Sequence, residues 1–233
     1  MALAPVFNLA ADGKTITQAT PLAAGQYTLQ LVATQQGAQG SPLTRNIQVT
    51  VQAGLPGSPT GLTRVSNTAT SAVISFGPPA AGGALDTGRY QVQWSTTGIF
   101  TDNGPAIPYC TPSNGSVTDQ FGNVWTVVPS GGGQVNAIMV GGSFSNGWDA
   151  NIFMLVNGVL WHLNSEPNWY SYTPTGRLTD GSSVDWTTAG GPSPLTAVNV
   201  PGLVTKTNYN LRVYVTNTTG PGAPSNVIPF TTA

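Results

Sequence analysis

Tyr209-Asn210-Leu211-Arg212-Val213-Tyr214-Val215-Thr216-Asn217 is the stretch that decides the fold of this chain. Leu211, Val213 and Val215 alternate with Arg212, Tyr214 and Thr216. Successive side chains of a strand point to opposite faces, so this period predicts a strand with an inner and an outer face. The same alternation runs through Tyr27, Leu29, Leu31 and Ala33 and through Ile47, Val49 and Val51. Turn signals separate these runs: Asp12-Gly13, Gly25, Gly37 and Gly40-Ser41-Pro42 in the first fifty residues alone. With 29 Gly and 19 Pro spread over 233 residues, long helices are excluded and the expected class is all-β. Only 6% of residues are charged, where ordinary soluble domains have roughly a quarter. Seven Lys and Arg against eight Asp and Glu give a net charge of −1, which excludes a nucleic-acid binder driven by phosphate neutralisation.

Outward from the opening stretch, a family pattern emerges in two halves. Pro59-Thr60-Gly61-Leu62, then Ala72-Val73-Ile74-Ser75-Phe76-Gly77-Pro78-Pro79, then Tyr90-Gln91-Val92-Gln93-Trp94-Ser95 resemble strands A, B and C of a fibronectin type III domain. Phe76 stands where that family usually has a core Trp. The second half lies at the far end, in Val200-Pro201-Gly202-Leu203 and the Tyr209–Asn217 stretch. The six-residue step from Leu203 to Tyr209 resembles the family's tyrosine corner, in which the Tyr hydroxyl ties a loop to the sheet. Ahead of a short linker, residues 1–53 resemble the later strands of a cadherin-like or Ig-like repeat. Such a half-repeat is too small to be stable alone, so Tyr27, Leu29 and Ile47 are expected to bury against a neighbouring domain or a second copy. The expected organisation is a partial Ig-like segment at 1–53, a split fibronectin type III sandwich at 54–98 plus 194–233, and an inserted Trp-rich β module at 99–193. Insertions at loop tips are tolerated, so the insert is expected to be replaceable by a short linker with the sandwich left folded.

The insert carries five of the six Trp and six of the eight acids, against a single Arg177. Within it, residues 115–127 read as strand, turn, strand, and residues 152–162 read as a hairpin turning at Asn157-Gly158. The order Asp119-x-x-Gly122-Asn123-x-Trp125, Val156-Asn157-Gly158-x-x-Trp161 and Trp169-Tyr170-x-Tyr172 is similar to a small β module. That module recurs beside catalytic domains of bacterial polysaccharide-degrading enzymes and in phage structural proteins. Trp148, Trp161, Trp169, Tyr170 and Tyr172 are candidates for a carbohydrate platform, because pyranose C–H faces pack on aromatic rings. Asp149 and Asn164 stand close by to meet hydroxyls. The competing reading makes these rings the core of a small module that needs large side chains to bury enough area. Alternation places Trp169 and Ser171 on one face of their strand and Tyr170 and Tyr172 on the other.

No catalytic residue, metal ligand or cofactor is expected. Asp119, Asp149, Glu166, Asp180 and Asp185 show no spacing that selects a glycosidase pair, and turn and cap roles explain Asp102-Asn103-Gly104 and Asp180-Gly181-Ser182 equally well. A calcium site in the Asp- and Asn-rich turns lacks the twelve-residue spacing of an EF-hand. His162, the only histidine, has no Gly-x-Ser-x-Gly elbow beside it, and Gly131-Gly132-Gly133 lacks the Lys and helix of a phosphate loop. Cys110 is the only cysteine and reads as a small buried apolar residue.

No apolar run reaches the length of a membrane span, and the first residues lack the basic and apolar regions of a secretory signal. A charge-poor, turn-rich chain of this kind suits an exterior surface. The resemblances together imply a non-enzymatic surface protein on the exterior of a tailed-phage virion, a fibre or a capsid or tail decoration component, displaying the insert for adhesion to host glycans. Its expected partners are other virion proteins or copies of itself and host surface polysaccharide, with no nucleic acid and no membrane insertion. The alternative is a polysaccharide-binding accessory module of a secreted bacterial glycoside hydrolase or adhesin.

Overall fold

The computed structural model describes residues 7–9, 16–18, 25–33, 43–51, 54–82, 85, 87–112, 115–129, 136–179, 184–189 and 191–233. Its contacts divide the chain into two units, Met1–Ala53 and Gly54–Ala233. In the first unit, β1 (Phe7–Leu9) pairs antiparallel with β2 (Ile16–Gln18). There β3 (Gly25–Ala33) pairs with β4 (Leu43–Val51) in unbroken register from Gly25↔Val51 to Ala33↔Leu43. Polar cross-strand pairs line the exposed face, among them Gln48 Nε2 donating to Thr28 Oγ1 at 3.0 Å. Ile47, paired with Leu29, is 40% exposed, while the side chains of Tyr27 and Leu29 lie outside the described residues.

The second unit begins with β5 (Thr60–Asn67), β6 (Ser71–Gly77), β7 (Thr87–Ser95) and β8 (Ala106–Cys110). Next come β9 (Val117–Thr118), β10 (Val124–Val128), β11 (Ala137–Val140), β12 (Ser143–Asp149), β13 (Ile152–Val156), β14 (Val159–Leu163), β15 (Trp169–Tyr172) and β16 (Thr187–Thr188). It ends with β17 (Val198–Pro201), β18 (Asn208–Asn217), β19 (Gly220–Pro221) and β20 (Ile228–Thr231). Two facing sheets form an Ig- or fibronectin-like sandwich. One has the order β17-β6-β5, and the other runs β16-β15-β14-β13-β8-β7-β18-β19 with β20 on the flank of β18.

The alternation read in the sequence fills the space between them. Ala72, Ile74 and Phe76 of β6 meet Tyr90 and Val92 of β7 and Leu211, Val213 and Val215 of β18, all buried. Phe76, at the expected Trp position, has its ring centroid 5.5 Å from that of Tyr90, and Tyr90 stands 5.5 Å from Tyr109. The tyrosine corner is present: the Val204 N–H donates to the Tyr209 hydroxyl at 2.8 Å. Tyr209 also meets Trp94 edge-on at 5.2 Å and stacks on Phe230 at 5.7 Å. On the outer face of β7, the buried amides of Gln91 and Gln93 are satisfied by the returning loop. Gln91 donates to the Gly104 carbonyl at 3.0 Å and Gln93 to Asp102 at 2.8 Å.

The insertion differs from a module hung on a loop tip. Its first strand, β8, pairs directly with β7, and β13 then pairs with β8, so the sandwich sheet continues outward through β14 and β15. Because side chains alternate along each added strand, Ile107, Tyr109, Met154 and Val156 enter the sandwich core beside Ile74 and Leu211. The opposite face of the same strands carries Cys110, Phe153 and Leu160. These are covered by the four-stranded sheet β12-β11-β10-β9, which contributes Trp125, Val127, Ile138 and Val140 to a second core. Residues 99–193 therefore supply core side chains to the sandwich, and a linker in their place would leave that core incomplete.

The Asn157-Gly158 turn joins β13 to β14 with φ of 53° and 80°, both in the left-handed region that a two-residue I′ hairpin requires. The Asn157 amide bridges to the facing sheet. Its Nδ2 donates to the Ala197 carbonyl at 2.8 Å, and its Oδ1 accepts the Asn199 N–H at 3.0 Å. Since β17 is an outer strand of its sheet, these bonds occupy an edge that would otherwise be open to pairing.

Two outcomes follow. Tyr209→Phe removes one hydrogen bond at an exposed loop and should lower the unfolding free energy by about 1 kcal/mol in urea titrations, with the fold retained. Replacing residues 99–193 by a Gly-Ser linker strips Ile107, Tyr109, Met154 and Val156 from the core and should abolish cooperative unfolding followed by circular dichroism. A cooperative transition in that shortened chain would show that the sandwich is self-sufficient.

Candidate functional site

Strand pairing sorts the candidate aromatics onto two faces. Across β14 and β15 the partners are Trp161↔Ser171 and Leu163↔Trp169, alternating with His162↔Tyr170 and Leu160↔Tyr172. Trp161 and Trp169 thus share a face with Ile152 and Met154 and are half-buried against the rim of the sandwich core. Tyr170 and Tyr172 lie on the reverse face, half-buried against the second core. Tyr172 has its ring 5.7 Å from Trp186 and 6.0 Å from Trp125. Burial, with a smaller contribution from the Asp119 charge, pushes its hydroxyl pKa up. A platform gathering all five rings is therefore excluded for Tyr170 and Tyr172, because a sheet separates them from Trp161 and Trp169. Trp148 lies in β12, and its side chain falls outside the described residues.

The polar candidates serve the loop between β14 and β15. Asn164 is 7% exposed, and its Oδ1 accepts the N–H groups of Glu166 at 3.1 Å and Asn168 at 2.8 Å. Asp149 Oδ2 accepts the Ser165 N–H at 2.9 Å. Asp119 has a comparable structural role on the other side of the insert. Its carboxylate accepts the N–H groups of Phe121 and Asn123, the Asn123 amide at 2.8 Å and the Trp125 indole N–H at 3.1 Å. The Asp119-x-x-Gly122-Asn123-x-Trp125 motif is thus a knot of one buried carboxylate and four donors, a charge-assisted arrangement that fixes the turn before β10. Glu166 and Asp185 are exposed, and Asp180 and Gly131–Gly133 lie outside the described residues. Among the described residues, no three His, Cys, Asp or Glu side chains are grouped to hold a metal ion.

A groove lies open beside Trp161. It encloses about 290 Å³, and its walls include Trp161, Val159, Asn157, Pro192, Ser193 and Thr196. The far wall comes from the segment that re-enters the sandwich. There Ser193 caps a 3₁₀ turn, Pro194–Ala197, its Oγ accepting the Leu195 N–H at 3.3 Å. Sequence reasoning missed this wall, although Ser193-Pro194 carries the start signal of a helical turn.

His162 and Cys110 belong to the second core. His162 is fully buried, stacked on Tyr170 at 5.0 Å and edge-on to Trp186 at 4.7 Å. Burial lowers its pKa to about 4, against a smaller upward pull from the charge and backbone carbonyl of Asp149. Cys110 is fully buried too, and burial pushes its thiol up to about 12. Neither group is presented as a base or nucleophile.

The depressed His162 pKa fixes a pH dependence. Between pH 6.5 and about 4 the unfolded chain binds a proton at this site that the folded chain does not. Stability contributed here is complete above pH 6.5 and falls as the pH drops toward 4, by up to about 3 kcal/mol. Urea midpoints measured across that window should decline for the native chain. His162→Phe should flatten the decline, and an equal decline in both would assign it to the carboxylates.

No family model and no curated protein matches the chain. Among solved structures it is similar to domains A168–A170 of titin, at 14% identity over 90% of this chain and 41% of that one, with a TM-score of 0.37. It is also similar to domains d3–d4 of the rat CD45 extracellular region, at 13% identity over 100% of this chain and 77% of that one, with a TM-score of 0.41. The chain thus spans about two fifths of the titin fragment it resembles. Its own strand order and tyrosine corner make residues 54–233 an Ig- or fibronectin-like β-sandwich with an extended sheet.

Proposed function

We propose that this is a non-enzymatic surface protein on the exterior of a tailed-phage virion, a fibre or decoration component that adheres to host surface glycans through the Trp161 face. The observation that carries the reading is the groove itself. A half-buried indole and a proline form its apolar walls, and the polar residues Asn157, Ser193 and Thr196 complete its lining. Apolar walls with a few fixed polar groups are the general make-up of small-ligand sites, and sugars present both kinds of surface. The burial of His162 and the commitment of Asp119 and Asp149 to backbone donors support binding without turnover. A charge-poor exterior supports a particle surface, where many copies raise the avidity of a weak site by orders of magnitude. An accessory module of a secreted polysaccharide-active protein would use the same groove.

The test is a multivalent display of the chain on glycan arrays and on bacterial surface polysaccharide. Trp161→Ala should weaken binding at least about tenfold, and Trp169→Ala should weaken it less. Tyr172→Phe, on the reverse face, should leave binding unchanged. Preference for bacterial envelope glycans supports the virion reading, and preference for plant cell-wall polymers supports the accessory module. Full binding by the Trp161→Ala, Trp169→Ala double variant would remove the site from this face.

A further inference from the structure

Across the Asn157-Gly158 turn from the Trp161 groove lies a second concavity. It encloses about 370 Å³ between Pro105, Ala106 and Leu155 on one side and Asn199 and Pro201 of β17 on the other. Asn157 lines both spaces, and its two bonds to residues 197 and 199 fix it as the partition between them. We infer that the two concavities are consecutive subsites for one uncharged glycan chain that crosses over the Asn157-Gly158 turn. This inference rests on the glycan-binding reading of the Trp161 groove and adds the ligand's charge class and length to it.

The composition, charge and geometry of the two spaces support it. Neither lining contains an ionisable side chain, so a carboxylate or phosphate entering either space would lose hydration and gain no cation. The inserted residues 99–193 carry six acids and one Arg, which disfavours the approach of anionic polymers. That Arg177 lines a different concavity, with Gly122 and Val124. The chemistry of the two spaces also repeats. Each sets proline and aliphatic or indole surface against amide or hydroxyl groups: Trp161, Pro192, Ser193 and Thr196 in one, Pro105, Leu155, Pro201 and Asn199 in the other. Each volume taken alone is near the lower end of the roughly 300–1,000 Å³ usual for small-ligand sites, and a ligand using both would fill a site of ordinary size. The partition is already tied by hydrogen bonds to residues 197 and 199, which limits the ordering cost of binding a chain across it.

The experiment uses the full chain and immobilised ladders of one to six units built from neutral glucose, mannose and galactose homopolymers, with galacturonate ladders as the acidic counterpart. Affinity for the preferred neutral ladder should rise with length until both spaces are occupied, and the galacturonates should not bind. Ala106→Trp and Asn199→Trp fill the second concavity from opposite walls at exposed positions, so one serves if the other disturbs folding. Each should weaken the longest oligomer about tenfold and leave the single sugar unaffected, whereas Trp161→Ala should weaken every length. Length dependence unchanged in both filled variants, or galacturonate bound as well as the neutral chains, would overturn the two-subsite inference while leaving a single site at Trp161. Absence of binding by the native chain to every ladder would overturn the glycan reading together with it.

Discussion

The ladder between β7 and β8 is the constraint on which the rest of the second unit depends. Once Tyr90 is opposite Ile107 and Gly88 opposite Tyr109, the side-chain parity of every later strand in that sheet is set. Tyr109 opposite Met154 and Cys110 opposite Phe153 carry the parity into β13, and Met154 opposite Trp161 carries it into β14. A one-residue slip at β8 would exchange the two cores, placing Cys110 in the sandwich and Tyr109 under the four-stranded sheet. Both cores and the accessible groove therefore follow from one register.

The polar residues divide according to what that register leaves for them. Asp119, Asp149, Asn164 and Asn157 each sit where backbone N–H groups turn away from the ladder, and each takes up those donors. Buried donors left unpaired cost far more than a formed bond returns, so such side chains are held to structural work. The ion pair between Arg89 and Asp102 at 3.8 Å has both side chains nearly half exposed and contributes little by comparison. Availability to a ligand is thus set less by residue type than by whether the local backbone has already claimed the side chain.

Much of the fold was legible from local signals. The period-2 run at Leu211, Val213 and Val215, the step from Leu203 to Tyr209 and the Asn157-Gly158 turn each report on a few neighbouring residues, and each has its expected structure. The attachment of the insertion was not legible, because β8 and β13 pair across more than forty intervening residues and no local pattern encodes such a partner. Of the site, alternation correctly separated Trp169 from Tyr170, but it does not tell which face a second sheet will cover. Asn164 and Asp149 read equally well as ligands or loop ties, since only the positions of Glu166, Asn168 and Ser165 decide between them.

The strand order also dictates the sequence of events during synthesis. Gln93 on β7 and Arg212 on β18 are hydrogen-bonded at 2.7 Å although 119 residues separate them in the chain. Until β18 is made, β7 has β8 on one edge and nothing on the other, with Tyr90 and Val92 awaiting the far strand. The inserted strands from β8 to β16 precede β18 in the chain and pair mostly with near neighbours, so they can form the template onto which β18 docks. Pairing strands so far apart in the chain slows folding, with the docking of β18 as the limiting step. A nascent chain stalled before Asn208 would expose the open edge of β7, the kind of edge that recruits a strand from another molecule.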